Sequence, residues 1–430
     1  MSTDAASPRF IDRVRGRKWP VVVTLLVLSS GMAYSLLWAP LVRHHPSWIF
    51  SGDVFASYRS AHYIAWGSIG SVYSANTGLV TFPGILLLFA PLAALTGFLG
   101  LSESFPYFIP HPTAWLLLGP YEMIIGCSAL FACDALAERL GVAKRWRIVL
   151  CLAEGVAIWP LLVFWGHPED ALAMALALYA VVFAFDGRWT GAGWLFGAAV
   201  ATQPLTLLML PILLALGGKE TAAGLLLRSL LPSVLLLAVP LGYQFHPTLH
   251  ALVDQPNYPR IDHATPWTSL APRLGGSGKN IAVASGPGRV LAVLAACVLG
   301  WRARRWRDRP ELLVWALALA MALRCFTESV MDSFYLWPAI ALSLVVVMRA
   351  SPRRRVLGVI VALSVTIVAE HHFAQWSVWW TAVTVGLVAV LSVAVPSRAS
   401  RVRPQLPIPV NATDEGLSYE PSPVLAGATR

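Results

Sequence analysis

The sequence predicts an all-α fold, a polytopic membrane bundle of about 11–13 spans, some short or re-entrant, with an interfacial helical loop after the first span. Three observations predict it. Of 430 residues, 57% are hydrophobic and 13% charged, where a soluble domain carries about 25% charged residues. Apolar runs of about 20 residues, the length of one helical crossing, recur along the chain. The Lys and Arg behind the net charge of +10 sit in short segments between those runs. That is the pattern of cytoplasmic loops, with attraction to anionic membrane lipid as a second effect. No nucleic-acid motif is present, so the basic balance does not point to DNA or RNA. Five cysteines fall inside apolar runs without metal-type spacing and read as small buried hydrophobes.

Residues 1–19 form a basic cytoplasmic N-terminus, and the run 20–40 is an uncleaved first span because it is long and lacks a small-x-small cleavage site. Residues 41–78 are too polar to span and too aromatic to be a free loop. Tyr58, His62, Ala65 and Ile69 recur at helical spacing, which predicts one or two amphipathic helices at the interface. The run 79–101 carries Pro83 and Pro91. If it crossed once, the basic loop 134–147 would fall outside, so a re-entrant pair of short helices is expected there. The same parity argument makes 191–216 a pair of short helices with Thr202–Gln203–Pro204 at its apex. Simple alternation then carries the chain through a second long outer loop, 246–286, to a last span ending at 395. Residues 396–430, rich in Pro, Ser and Ala, read as a disordered cytoplasmic tail. Asn411-Ala-Thr413 within it is a chance match to a glycosylation acceptor.

This topology gathers acids and histidines on the outer face and leaves a purely cationic inner face, which locates the chemistry outside. Asp53, just past the first span, suits a general base, and equally a helix N-cap. Arg59, His62, Arg260 and His263 are outer-side cations suited to a phosphate whose charge grows as it leaves; lipid headgroup contact accounts for them as well. His167, Glu169 and Asp170 sit in a turn between spans. Pro168 can open the next helix, with both acids at its positive end, and His167 is left over to bind an acceptor hydroxyl, with Tyr63 and Trp66 on the same acceptor side. Arg324 lies inside an apolar run, four residues before Glu328. It reads either as an intrahelical pair or as a phosphate ligand. No zinc motif is present, and neither a metal nor a cofactor is expected.

These residues lie among motifs in a suggestive order: SGD at Asp53, Gly67 and Tyr73 six apart, TFPGILLLFAPLA at 81–93, WGHP at 165–168 and GWLFGAAVATQPLTLLMLPILLAL at 193–216. In that order and spacing the chain resembles the integral-membrane GT-C glycosyltransferases, particularly the actinobacterial polyprenyl-phosphate-mannose-dependent mannosyltransferases. The likeness covers residues 20–216, about half the chain. It implies that 20–395 is a GT-C-like domain in the plasma membrane and that Asp53 is the catalytic base. It also implies an inverting transfer from a polyprenyl-phosphate sugar donor to a lipid or glycan acceptor. Gln203 stands at the family's phosphate-binding lysine position. The second proline of the 81–93 motif is missing, and His167-Pro168 replaces a glutamine turn. Two other readings stay open: a lipid or glycolipid transporter, for which Glu122, Glu154 and Arg324 inside spans speak, and a non-catalytic partner of an envelope complex.

Overall fold

The computed structural model describes residues 17–38, 52–74, 78–101, 114–253, 256–257, 263–274, 281–283, 286–371 and 375–396. Arg260, most of the N-terminal segment and the tail from 397 lie outside the described residues. What is described is a helical bundle. Six of its helices are long and apolar enough to cross a membrane: Leu116–Arg139, Lys144–Trp165, Pro168–Phe185, Lys219–Tyr243, Pro310–Thr327 and Trp376–Ala394. Shorter apolar helices include Lys18–Ala33, Gly84–Phe98, Pro204–Leu216 and Ser333–Val347.

In chain order the helices are α1 Lys18–Ala33, α2 Gly52–Ala65, α3 Gly84–Phe98, α4 Trp115–Gly126, α5 Ser128–Arg139, α6 Lys144–Pro160, α7 Pro168–Phe185, α8 Trp189–Thr202, α9 Leu210–Leu216 and α10 Lys219–Tyr243. They continue as α11 Phe245–Val253, α12 Pro287–Ala303, α13 Pro310–Thr327, α14 Trp337–Val347, α15 Pro352–Ala369 and α16 Trp376–Ala394. Every residue of α14 is buried, as an almost wholly apolar helix at the centre of a bundle should be, and its one hydroxyl, Ser343, bonds the Ala339 carbonyl within the helix. The outer helices invert the soluble pattern. On α12 the buried positions are small (Gly288, Ala292, Ala296, Gly300, Ala303), while Val290, Leu291, Val293, Leu294, Val298 and Trp301 face outward. Small residues let backbones approach, and large apolar ones facing out suit hydrocarbon better than water.

Side-chain contacts define two ends. At one, Arg17 before α1 pairs with Asp134 and, at 2.6 Å, with Glu138 on α5, and Arg147 on α6 reaches the same two acids at 2.6 Å. Arg139 meets Asp186 at 2.6 Å, and Arg349 meets Glu311 at 3.3 Å. This end is therefore not purely cationic as the sequence suggests. Residues 134–139 are helical rather than loop, and their two acids, Asp134 and Glu138, each pair with both Arg17 and Arg147.

The segment 79–101 is also different from expectation. It is one helix, α3, with Pro91 inside it, not a re-entrant pair. At 15 residues it spans about 22 Å, short of the ~30 Å hydrocarbon layer. It lies along α2: the Tyr58 hydroxyl bonds Thr96, and the Trp66 ring lies against Gly97. Its C-terminal end thus lies against α2, while its N-terminal end, at Gly84, lies against the end of α8. Segment 189–216 does fold back. Gln203 is extended between α8 and a 3-10 turn, Pro204–Met209, that leads to α9. The Trp189 ring at its start lies beside Gly217 past its end.

The loop 246–286 begins with α11 and then carries short strands. β1 Pro256–Asn257, β4 Ile281–Val283 and β3 Arg273–Leu274 form a three-stranded sheet, and β2 His263–Ala264 pairs with β5 Val330–Met331. These strands are an addition to the all-helical expectation. Four of the cysteines are buried, but Cys297 is exposed, facing outward from α12 with the large apolar residues.

Candidate functional site

The end opposite the arginine network is built on the turn between α6 and α7. After Pro160 the helix widens into a π-turn, Leu161–Trp165, and Gly166 follows with φ of 62°. A side chain at that left-handed position would be strained, so glycine permits the two-residue reversal. His167 takes the N-cap position and Pro168 opens α7, because a proline at that place loses no helical hydrogen bond. Glu169 and Asp170 follow in the first turn, at the positive end of the helix. Local π-widening of this kind recurs next to functional residues.

His167 is buried between two carboxylates. Its Nδ1 bonds Glu169 Oε1 at 2.7 Å, and its Nε2 stands 3.1 Å from Asp53 Oδ2, an ion-pair distance although the N–H is not aimed along that line. Its ring stacks on Phe334, with centroids 4.0 Å apart. Asp53 lies in the first turn of α2. Its side chain is 60% accessible. Glu169 is 4% exposed, and its second oxygen has no partner among the described residues. Behind it stands Glu122 of α4, fully buried, with neither oxygen hydrogen-bonded among the described residues and close enough to feel the charges of Glu169 and His167.

Burial by itself lowers the affinity of His167 for a proton, but Glu169 and then Asp53 more than offset it, and the imidazole is held well above its usual range. Burial likewise works to raise Asp53, yet the hydrogen-bonding and charge influence of His167 win, and its carboxyl lies below the usual range. At neutral pH the pair is an imidazolium beside an accessible carboxylate.

The remaining polar groups converge from other elements. The Gln203 amide donates to Asp170 Oδ1 at 2.7 Å across the α8 break. Gly84 opens α3 so tightly against the end of α8 that an added Cβ would lie 2.4 Å from the Ala201 carbonyl oxygen, so only glycine admits this approach. Arg324 of α13, within electrostatic reach of Asp170, meets Glu328 at 3.2 Å and stacks over Tyr335. Arg289 of α12 shares Glu328 at 3.5 Å.

Of the residues singled out in the sequence, Asp53, His167, Glu169, Asp170, Gln203 and Arg324 therefore meet at one end. Glu169 and Asp170 are buried and spoken for by His167 and Gln203, so they back the site rather than line it. Arg59 is exposed, its guanidinium 4.8 Å from the Phe55 centroid. His62 is buried and bonds the Tyr58 carbonyl at 3.1 Å. Tyr63 and Trp66 lie about 15 and 20 Å farther along the α2 axis than Asp53, from the helical rise, and Trp66 is exposed. Those four are not gathered with Asp53. The backbone of His263 pairs with Met331, just before the Phe334–Tyr335 segment that covers the site. Phe334, Tyr335 and Arg289 were not assigned a role from sequence and carried no signal there. Glu122 was singled out only as an acid inside a span, for the transporter reading. Comparison of the chain with protein-family models gives no match, and comparison with curated proteins gives none either.

Proposed function

We propose that the chain is an integral-membrane glycosyltransferase. It moves a sugar, mannose in the first place, from a polyprenyl-phosphate donor to a lipid- or glycan-linked hydroxyl on the outer side of the plasma membrane. One observation carries this reading: an accessible carboxylate, Asp53, kept ionised by a buried imidazolium, at the end of the bundle where Arg324 and Arg289 also converge. In the reaction Asp53 takes the proton of the acceptor hydroxyl as its oxygen attacks the anomeric carbon. The bond from that carbon to the phosphate oxygen breaks on the opposite face, the configuration inverts, and polyprenyl phosphate leaves with the bonding pair. Its growing charge calls for a cation; Arg289 and Arg324, two guanidiniums sharing the Glu328 carboxylate, are candidates for it. The arginine-rich end is then cytoplasmic, as the positive-inside rule asks, with both termini on that side. α3 and the α8–α9 hairpin enter the layer without crossing it.

The test is transfer from a radiolabelled polyprenyl-phosphate sugar in membranes, wild type against Asp53→Asn. Loss of a general base lowers the rate by about 100-fold or more, with unchanged protein level. Equal rates in the two would end the reading. A second reading has its own support. The chain of groups Asp53, His167, Glu169 and Glu122 leads from an accessible carboxylate to a fully enclosed one, the arrangement of a proton relay in a transporter. Proton uptake by proteoliposomes that Glu122→Gln abolishes, together with no transfer of sugar, favours that reading instead.

A further inference from the structure

At the arginine-rich end, beyond the paired network, α6 and α15 begin side by side, and their first turns carry Lys144 and Arg145 and Arg353, Arg354 and Arg355. Cations there face the positive ends of two helices, the unfavourable sense of the helix dipole. The sequence requires basic residues at this end of the bundle for topology, but topology does not require them inside the first turn. Unlike Arg17, Arg139, Arg147 and Arg349, neither Arg145 nor Arg355 forms an ion pair among the described residues. Both guanidiniums instead flank one ring, Trp146, at 4.5 Å for Arg355 and 5.8 Å for Arg145, where they repel each other.

Two buried donors in this cluster have no acceptor among the described residues, Arg355 Nε and Trp146 Nε1. Both side chains are half-buried, and enclosed N–H groups are nearly always paired. Neither helix has a side-chain cap at its start, so backbone N–H groups on the same side are open as well. Repelling cations, orphaned donors and uncapped helix starts are resolved together by one kind of ligand, an oxyanion with several acceptor oxygens. We propose that Arg145, Trp146 and Arg355 form a binding site for a phosphate group, either the phosphodiester of an anionic phospholipid headgroup or free phosphate.

The site is independent of the glycosyltransferase reading and lies at the other end of the molecule. It is tested on the purified full-length protein in detergent, titrated separately with dioctanoyl phosphatidylglycerol, dioctanoyl phosphatidylcholine and inorganic phosphate, with native mass spectrometry and thermal unfolding as readouts. Tighter binding of phosphatidylglycerol than of phosphatidylcholine, weakened about tenfold or more in Arg145→Gln/Arg355→Gln, supports a lipid headgroup. Saturable binding of inorganic phosphate that the same double substitution weakens, and that displaces the lipid, supports free phosphate as the ligand. Trp146→Phe, which keeps the ring and removes the donor, weakens either ligand by a smaller factor; it decides the matter alone if the double variant does not fold. Binding that is unchanged in these variants, equal for the two lipids, or undetectable for both phosphatidylglycerol and phosphate overturns the proposal.

Discussion

The two ends of this bundle treat buried acids in opposite ways. At the arginine-rich end Asp134 is 4% exposed and accepts from both Arg17 and Arg147, while Glu138 takes the remaining arms of the same two side chains. Each charge has a partner from another helix, so the network ties α1, α5 and α6 together. At the far end one imidazole serves two carboxylates, a third carboxyl waits behind them, and three of the four buried oxygens of Glu169 and Glu122 lack hydrogen bonds among the described residues. A saturated network stabilises a fold. An unsaturated one, with a group left open to the outside, costs stability and is retained where chemistry needs it.

The largest effect should come from breaking the saturated end. Asp134→Ala leaves two arginines facing each other across a buried gap, and removal of one partner from such a cluster costs about 3–5 kcal/mol. Thermal unfolding in detergent should show a large drop in midpoint. The companion substitution at the other end, Asp53→Asn, should lower the midpoint by much less, because Asp53 is accessible and Glu169 still pairs the buried imidazole. Equal losses from both would erase the distinction between a structural and a functional end.

Much of the architecture was legible in the hydropathy of the chain, because a helix in lipid must be apolar and its loops must not be. The break at Gln203 was legible too, since Pro204 cannot continue a helix from its predecessor without loss of a hydrogen bond. Pro91 followed the same rule and misled: α3 keeps it in the interior, packed between α2 at one end and α8 at the other, so tertiary packing outweighs the lost bond. The meeting of Asp53 with His167 had no local signal. It depends on how α2 lies across the start of α7, and no spacing rule links residues so far apart. The acids of the arginine-rich end were visible as letters, but their pairing was not. A count of charges by loop does not reveal which side chains turn inward from a helix end.

A medium effect should separate the members of the His167 cluster. His167→Gln removes the cation from between two carboxylates and costs about 1–3 kcal/mol. The sign with pH follows from the shifts. His167 binds its proton more tightly folded than unfolded, so its contribution is full below the ordinary histidine range and fades as pH rises through its raised value. Asp53 is shifted the other way, so its share is present above the ordinary carboxylate range and fades as pH falls into it. The difference in unfolding midpoint between wild type and His167→Gln should therefore be widest near neutral pH. It should narrow toward both alkaline and strongly acid conditions. A difference that is flat with pH would mean that the ring acts by packing on Phe334 and not by charge.

The smallest effect is expected where the sequence made its most tempting suggestion, at the exposed face of α2. Arg59 rests on Phe55, a contact worth about 0.5–1 kcal/mol at an exposed site, and Trp66 is 68% exposed beyond the helix end. Arg59→Ala and Trp66→Ala should each shift the unfolding midpoint by less than His167→Gln does. Trp66→Ala should also leave sugar transfer within about twofold of wild type, since the ring lies about 20 Å along the helix from Asp53 by the rise of 1.5 Å per residue. A large loss of transfer on Trp66→Ala would require the acceptor to reach along the whole of α2, from its first turn to its end. The site would then be an extended groove between α2 and the bundle, and the comparison of two ends would become one of a compact network with an elongated surface.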